Sequence, residues 1–97
     1  MTNPPMQFEV AGVKFRLASF VRANVTYGDK LTLKPEPTNE FDPNAIGVYK
    51  GEHHIGYVPR GWTQALVPVE TVGCVVCSVW GKGCSVNATR LEDGQAK

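Results

Sequence analysis

Short runs of alternating apolar and polar residues, punctuated by Gly, Pro, Asn and Asp, dominate this chain. Residues 7–16 (QFEVAGVKFR) place Phe8 and Val10 at period two, meet Gly12 and resume with Val13 and Phe15. That is the pattern of a first strand kinked or bulged at a glycine. Leu17, Phe20, Val21 and Val25 follow at helical spacing, which predicts one amphipathic helix that Gly28 stops, its apolar stripe covering a sheet. Residues 30–34 (KLTLK) alternate again, with Leu31 and Leu33 inward, until Pro35 and Pro37 remove two backbone donors and end the ladder. The loop 37–44 (PTNEFDPN) is rich in side chains that bond their own backbone or fix φ, so a rigid turn is expected.

The second half repeats the theme. Residues 45–49 (AIGVY) and 55–58 (IGYV) flank a polar connection, 50–54, containing Gly51, a hairpin signal. Pro59 suits the first residue of a short second helix carrying Trp62, Ala65, Leu66 and Val69, with Pro68 limiting its length. Residues 72–80 (VGCVVCSVW) and 84–91 (CSVNATRL), separated by Gly81, Lys82 and Gly83, predict a closing hairpin. The domain then spans residues 7–91, between an N-terminal tail (1–6) and a polar C-terminal tail (92–97). Strands this short, joined mostly by turns, favour a small antiparallel barrel, all-β with two short helices. If residues 72–80 form an edge strand, their apolar side chains would need covering, and a weak homodimer would supply the cover; otherwise a monomer is expected.

Composition narrows the function classes. Ninety-seven residues, 42% of them hydrophobic, suffice for one modest core. Ten Lys plus Arg against nine Asp plus Glu leave a net charge of +1, so no global field draws in a polyanion and any anionic ligand must be held locally. No apolar run is long enough to span a bilayer and no basic-then-apolar leader opens the chain, so the expectation is a cytoplasmic protein. Cys74, Cys77 and Cys84, odd in number and clustered, do not suit a disulfide framework, and reduced thiols are expected.

Four segments, GVKFR (12–16), GDKLTL (28–33), NEFDPNAIGVY (39–49) and HIGYVPR (54–60), closely resemble the HIRAN domain in order and spacing. The likeness runs from about Phe8 to about Leu66, with only the strand pattern matching beyond. The resemblance implies a modified OB-like or SH3-like barrel of about six strands. Such domains occur fused to Snf2-type translocases and nucleases or as standalone bacterial and phage proteins. The implied function is a non-enzymatic module for single-stranded DNA, capturing free 3′-hydroxyl ends in DNA repair, replication or mobile-element processes. On this likeness Lys14 would meet phosphate and Phe15 a base, with Arg16 where an aromatic can occur. Asn39, Phe41 and Asp42 would be the loop positions: Phe41 a second stacking face, the Asp42 carboxylate an acceptor for the terminal hydroxyl. Tyr57 stands where DNA-binding members can carry histidine, and Arg60 matches a basic position facing backbone phosphate.

Each of these residues also has a plain reading. Asp42-Pro43-Asn44 is an ordinary turn, Phe15 and Phe41 are equally suited to a core, and Lys14, Arg16 and Arg60 to solvated strand ends. Glu36 and Glu40, in or beside the loop, would repel phosphates. An alternative function is a protein-interaction module, a small phage or mobile-element factor docking on a DNA-processing enzyme through Tyr57, Trp62 and residues 65–69. Single-stranded RNA also satisfies the pattern. The spacing of Cys74 and Cys77 invites zinc, but residues three apart on a strand face opposite ways, so no metal is assigned. His53 and His54 read as an exposed pair in the hairpin connection and are assigned no role. No phosphate loop, HExxH pair or nucleophile setting marks catalysis, and no cofactor is implied.

Overall fold

The computed structural model describes residues 6–90; the tail assignments for 1–5 and 92–97, and the strand end at Leu91, lie outside the described residues. Six strands, β1 (Met6–Glu9), β2 (Lys30–Pro35), β3 (Ile46–Lys50), β4 (His53–Tyr57), β5 (Val72–Trp80) and β6 (Gly83–Arg90), form one sheet in the order β1-β6-β5-β2-β3-β4. Every pairing is antiparallel, and the sheet curls into a half-barrel. One α-helix, α1 (Leu17–Ala23), packs on it. The curl brings the two outer strands together: Ala11, just beyond β1, and Tyr57 of β4 exchange both backbone hydrogen bonds, at 2.7 and 2.8 Å.

Alternation produces this core. Leu31 and Leu33 of β2, Cys74 and Val76 of β5, and Cys84, Val86 and Ala88 of β6 all point inward, joined by Phe8, Ile46, Val48 and Ile55. β5 is not an edge strand. β6 flanks it, β2 pairs with it at Cys74 and Val75, and the turn at Gly28 and Asp29 carries that pairing to Val76, so its backbone is paired on both sides over this stretch, while Val75, Val79 and Trp80 remain exposed on its outer face. The register shifts between Val76 and Ser78, leaving Cys77 at a bulge while Cys74 stays in the core. Burial pushes the thiols of Cys74 and Cys84 up to about 11, so both remain protonated at neutral pH. Among the described residues no three His, Cys, Asp or Glu side chains converge as a metal site would require.

Three local expectations are corrected. The first strand does not resume after Gly12, which adopts φ 73°; residues Val13–Arg16 form a 3-10 turn, with the Phe15 N–H bonded to the Gly12 carbonyl at 3.0 Å. Three residues per turn send i and i+2 in different directions, so Val13 is buried while Phe15 is exposed. The helix ends at Asn24, in the left-handed region at φ 50°, and not at Gly28. Its buried stripe is Phe20 and Ala23, and Val21 faces solvent.

The second helix is absent as an α-helix. Arg60–Trp62, Gln64–Leu66 and Val69–Thr71 are separate 3-10 turns; Pro68, which supplies no donor and restricts the residue before it, divides the second from the third. Arg90 replaces the missing ladder, donating to Thr71 Oγ1 at 2.7 Å and to the carbonyls of Ala65 and Val67 at 2.6 and 3.2 Å. Leu66 is fully buried and Trp62 packs against Phe8, ring centroids 6.0 Å apart.

Closure of the curl has a steric requirement at Gly56. A Cβ there would fall 2.5 Å from Val10 Cγ1 and 2.6 Å from the Ala11 carbonyl oxygen. Gly56→Ala is therefore expected to lower unfolding free energy by about 1–3 kcal/mol, the usual cost of overpacking. Gly61→Ala, with open space around it, should change it by less than about 0.5 kcal/mol; urea denaturation of both variants measures the difference.

Candidate nucleic-acid interface

The pairing of Ala11 with Tyr57 sets the 3-10 turn 13–16 beside the end of β4 and opposite the loop between β2 and β3. Between them lies a groove of about 520 Å³. Phe15, Asn39, Phe41, Asp42, Tyr57 and Arg60 line it, over a floor that includes Ala11, Ala45 and Val58. Lys14 and Arg16 are not on its wall. Lys14 is exposed with its Nζ 5.1 Å from the centre of the Phe15 ring. Arg16 lies half-buried behind Tyr57, its guanidinium 5.5 Å from that ring and donating to Tyr57 Oη at 3.4 Å.

Exposure decides between the two readings of the phenylalanines. Phe15 is 80% and Phe41 90% accessible, so neither belongs to the core. The loop that carries Phe41 is held by its own side chains. Asn39 Oδ1 accepts from the backbone N–H of Phe41 at 2.8 Å and of Asp42 at 3.0 Å, while Asp42 Oδ1 accepts from the Asn44 N–H at 2.9 Å. Asp42 thus makes its turn with one oxygen. The other, Oδ2, lies 3.6 Å from Arg60 Nε in a loose pair whose arginine is 82% exposed, a contact of little energetic weight.

Two features behind the groove were not legible in the chain. Glu36, expected as a bare repulsive charge, accepts at Oε1 from Asn39 Nδ2 at 3.0 Å and from Tyr57 Oη at 3.2 Å. The histidines are also placed differently from expectation. The hairpin tip is only Gly51 and Glu52, so His53 and His54 belong to β4 and are half-buried. His54 stacks on Tyr49 (4.5 Å, 12°) and meets Tyr57 edge-on (4.8 Å). Lys34 over Tyr49 at 4.4 Å and Arg16 over Tyr57 cap this column of rings at its two ends. A pair of aromatic positions flanking a histidine in adjacent strands was the available signal, obscured by placing the histidine in a turn.

Fold and groove together define a small half-barrel binding module with one open face of exposed aromatic rings and cations. A family model for the HIRAN domain matches residues 6–95, and the chain belongs to that family. Among solved structures, a Lactobacillus plantarum protein superposes with a TM-score of 0.75 at 21% identity, covering 91% of this chain and 94% of that one. The HIRAN domain of human HLTF superposes with a TM-score of 0.73 at 17% identity, over 95% of this chain and 79% of that one. No curated protein matches. No helix among the described residues is long and apolar enough to cross a membrane.

Burial, followed by the nearby Arg16 charge, holds the His54 imidazole below its ordinary range; its bond to the Gly56 carbonyl and the Glu36 carboxylate oppose this without reversing it, and the Lys34 charge adds a smaller lowering. In the unfolded chain His54 binds its proton at about pH 6.5, before the folded protein does. Its contribution to stability is therefore complete above that value and is lost as pH falls below it. Thermal melts at pH 7.5 and 5.0 should show the stability difference between wild type and His54→Gln shifting toward the variant at the lower pH.

Proposed function

We propose that this domain is a non-enzymatic module that binds single-stranded nucleic acid, with single-stranded DNA ending in a free 3′ hydroxyl as its preferred ligand. The observation that carries the reading is the pair of exposed rings, Phe15 and Phe41, on either side of a groove that also presents Asp42 Oδ2, a carboxylate oxygen held only in a loose pair with the exposed Arg60. Membership of the HIRAN family, a family of DNA-binding modules, supports it. Each ring offers a stacking face for one base, a contact of about 1–3 kcal/mol that is indifferent to sequence. Asp42 Oδ2 accepts the hydrogen bond of a terminal hydroxyl and repels a terminal phosphate. Arg60 at the groove wall, and Lys14 and Arg16 beside it, supply the phosphate contacts. Asn39 serves by holding the backbone of Phe41 and Asp42 in place, and Tyr57 by forming the rear of the groove.

The alternative, docking on a DNA-processing protein in repair or mobile-element transactions, would use Trp62 and its neighbours as an anchor. Trp62 lies against Phe8 and Leu66 is buried, which favours the groove.

Fluorescence anisotropy with short single strands bearing a free or a phosphorylated 3′ end tests the reading. Free ends are expected to bind about tenfold tighter, the worth of one charge-assisted hydrogen bond, and Asp42→Ala is expected to abolish the difference. Phe41→Ala should weaken both strands by about 1–3 kcal/mol. With three cations in play, log affinity should fall against log salt with a slope near −2, at about 0.7 per phosphate contact for single strands. Equal binding of both ends by the wild type removes the end preference; no binding at low salt removes the nucleic-acid reading.

A further inference from the structure

Glu36 stands where the 37–44 loop, strand β4 and the 13–16 turn meet. Through Oε1 it joins Asn39 to Tyr57. Asn39 passes the connection to the backbone of Phe41 and Asp42, and Tyr57 Oη, donating to Glu36, accepts from Arg16. Room for the carboxylate is made by Gly47 on β3. A Cβ there would fall 3.0 Å from Glu36 Oε2, 3.1 Å from His54 Nε2 and 2.9 Å from Tyr49 Cε1. The side chain is only 24% accessible, so the acid is built into the rear of the groove and is not a solvated residue beside it.

A negative charge in that place works against a polyanionic ligand, whereas its oxygen, as a hydrogen-bond acceptor, orders the loop that presents the ligand's contacts. An amide oxygen accepts the same two hydrogen bonds without the charge. We propose that Glu36 is a positioning residue whose Oε1 fastens the Phe41–Asp42 loop to Tyr57, and whose charge at the same time restrains the affinity of the groove for a nucleic-acid strand. The second half rests on the reading of the groove as a nucleic-acid site; the first does not.

Glu36→Gln and Glu36→Asp separate the two roles. Glutamine keeps the reach and the acceptor but loses the charge; aspartate keeps the charge but is one methylene short. In amide NMR spectra without ligand, the Phe41 and Asp42 resonances and their exchange protection should be retained in Glu36→Gln and displaced in Glu36→Asp. With a fluorescein-labelled oligothymidylate in low salt, Glu36→Gln should bind about threefold tighter than wild type, a gain that shrinks as salt screens the charge. Glu36→Asp should bind at least about fivefold more weakly, the loss of one hydrogen-bonded anchor. Loop amides displaced equally in both variants, or undisturbed in both, overturn the positioning role. Weaker binding by Glu36→Gln with its loop amides intact overturns the restraint. If the wild type binds no strand at all, the nucleic-acid reading and the restraint fall together, while the loop amides still decide the positioning role.

Discussion

The pair of backbone hydrogen bonds between Ala11 and Tyr57 is the constraint on which the rest of this molecule depends. It joins the chain just after the first strand to the last strand in the sheet order, so that the curled sheet is pinned from one side to the other at a single bridge. The backbone groups paired there would otherwise be left to water or to another chain. The approach is close enough that β4 must carry glycine at position 56. Directly after this junction Gly12 turns the chain out of the sheet into the short 3-10 turn. The bridge that pins the curl of the half-barrel and the presentation of Phe15 are therefore one structural event, and the groove exists because its two walls come from segments that the junction brings together.

Charge is handled locally in a molecule with almost none in net terms. The ring column from Lys34 through Tyr49, His54 and Tyr57 to Arg16 places a cation at each end of a stack of aromatic faces. Glu36 runs alongside it and ties it to the loop. Each contact is modest alone, and their arrangement matters more than their sum: the same side chains that stiffen the rear of the groove set the field at its mouth. A groove built in this way discriminates by where its few charges stand, since a domain of net charge +1 cannot rely on a diffuse attraction.

The strands were legible because period two is a direct consequence of strand geometry. Leu31 and Leu33, Cys74 and Val76, and Val86 and Ala88 alternate in the chain and alternate in the fold. The loop was legible as well, since Asn39 and Asp42 make their turns with immediate neighbours. Reading failed where the same spacing serves two geometries. Val13 and Phe15 look like a strand and lie on a 3-10 turn; Trp62, Ala65 and Leu66 look like an α-helix and belong to 3-10 turns stitched by Arg90, a residue far along the chain. The position of β5 inside the sheet follows from its pairing with β2, which no local pattern encodes.

By itself, then, the chain determined what depends on near neighbours: strand alternation, turn chemistry and the identity of the residues that resemble a family. Only the tertiary structure decided exposure and partnership. Phe15 and Phe41 are as apolar as Phe8 and Phe20, and nothing in their residue type says which pair is buried. Glu36 is an ordinary surface acid until Gly47, Tyr57 and Asn39 surround it. The physical reason is range: hydrogen-bonded turns and pleats act over a few residues, whereas burial and electrostatic environment are set by segments that meet only when the sheet closes.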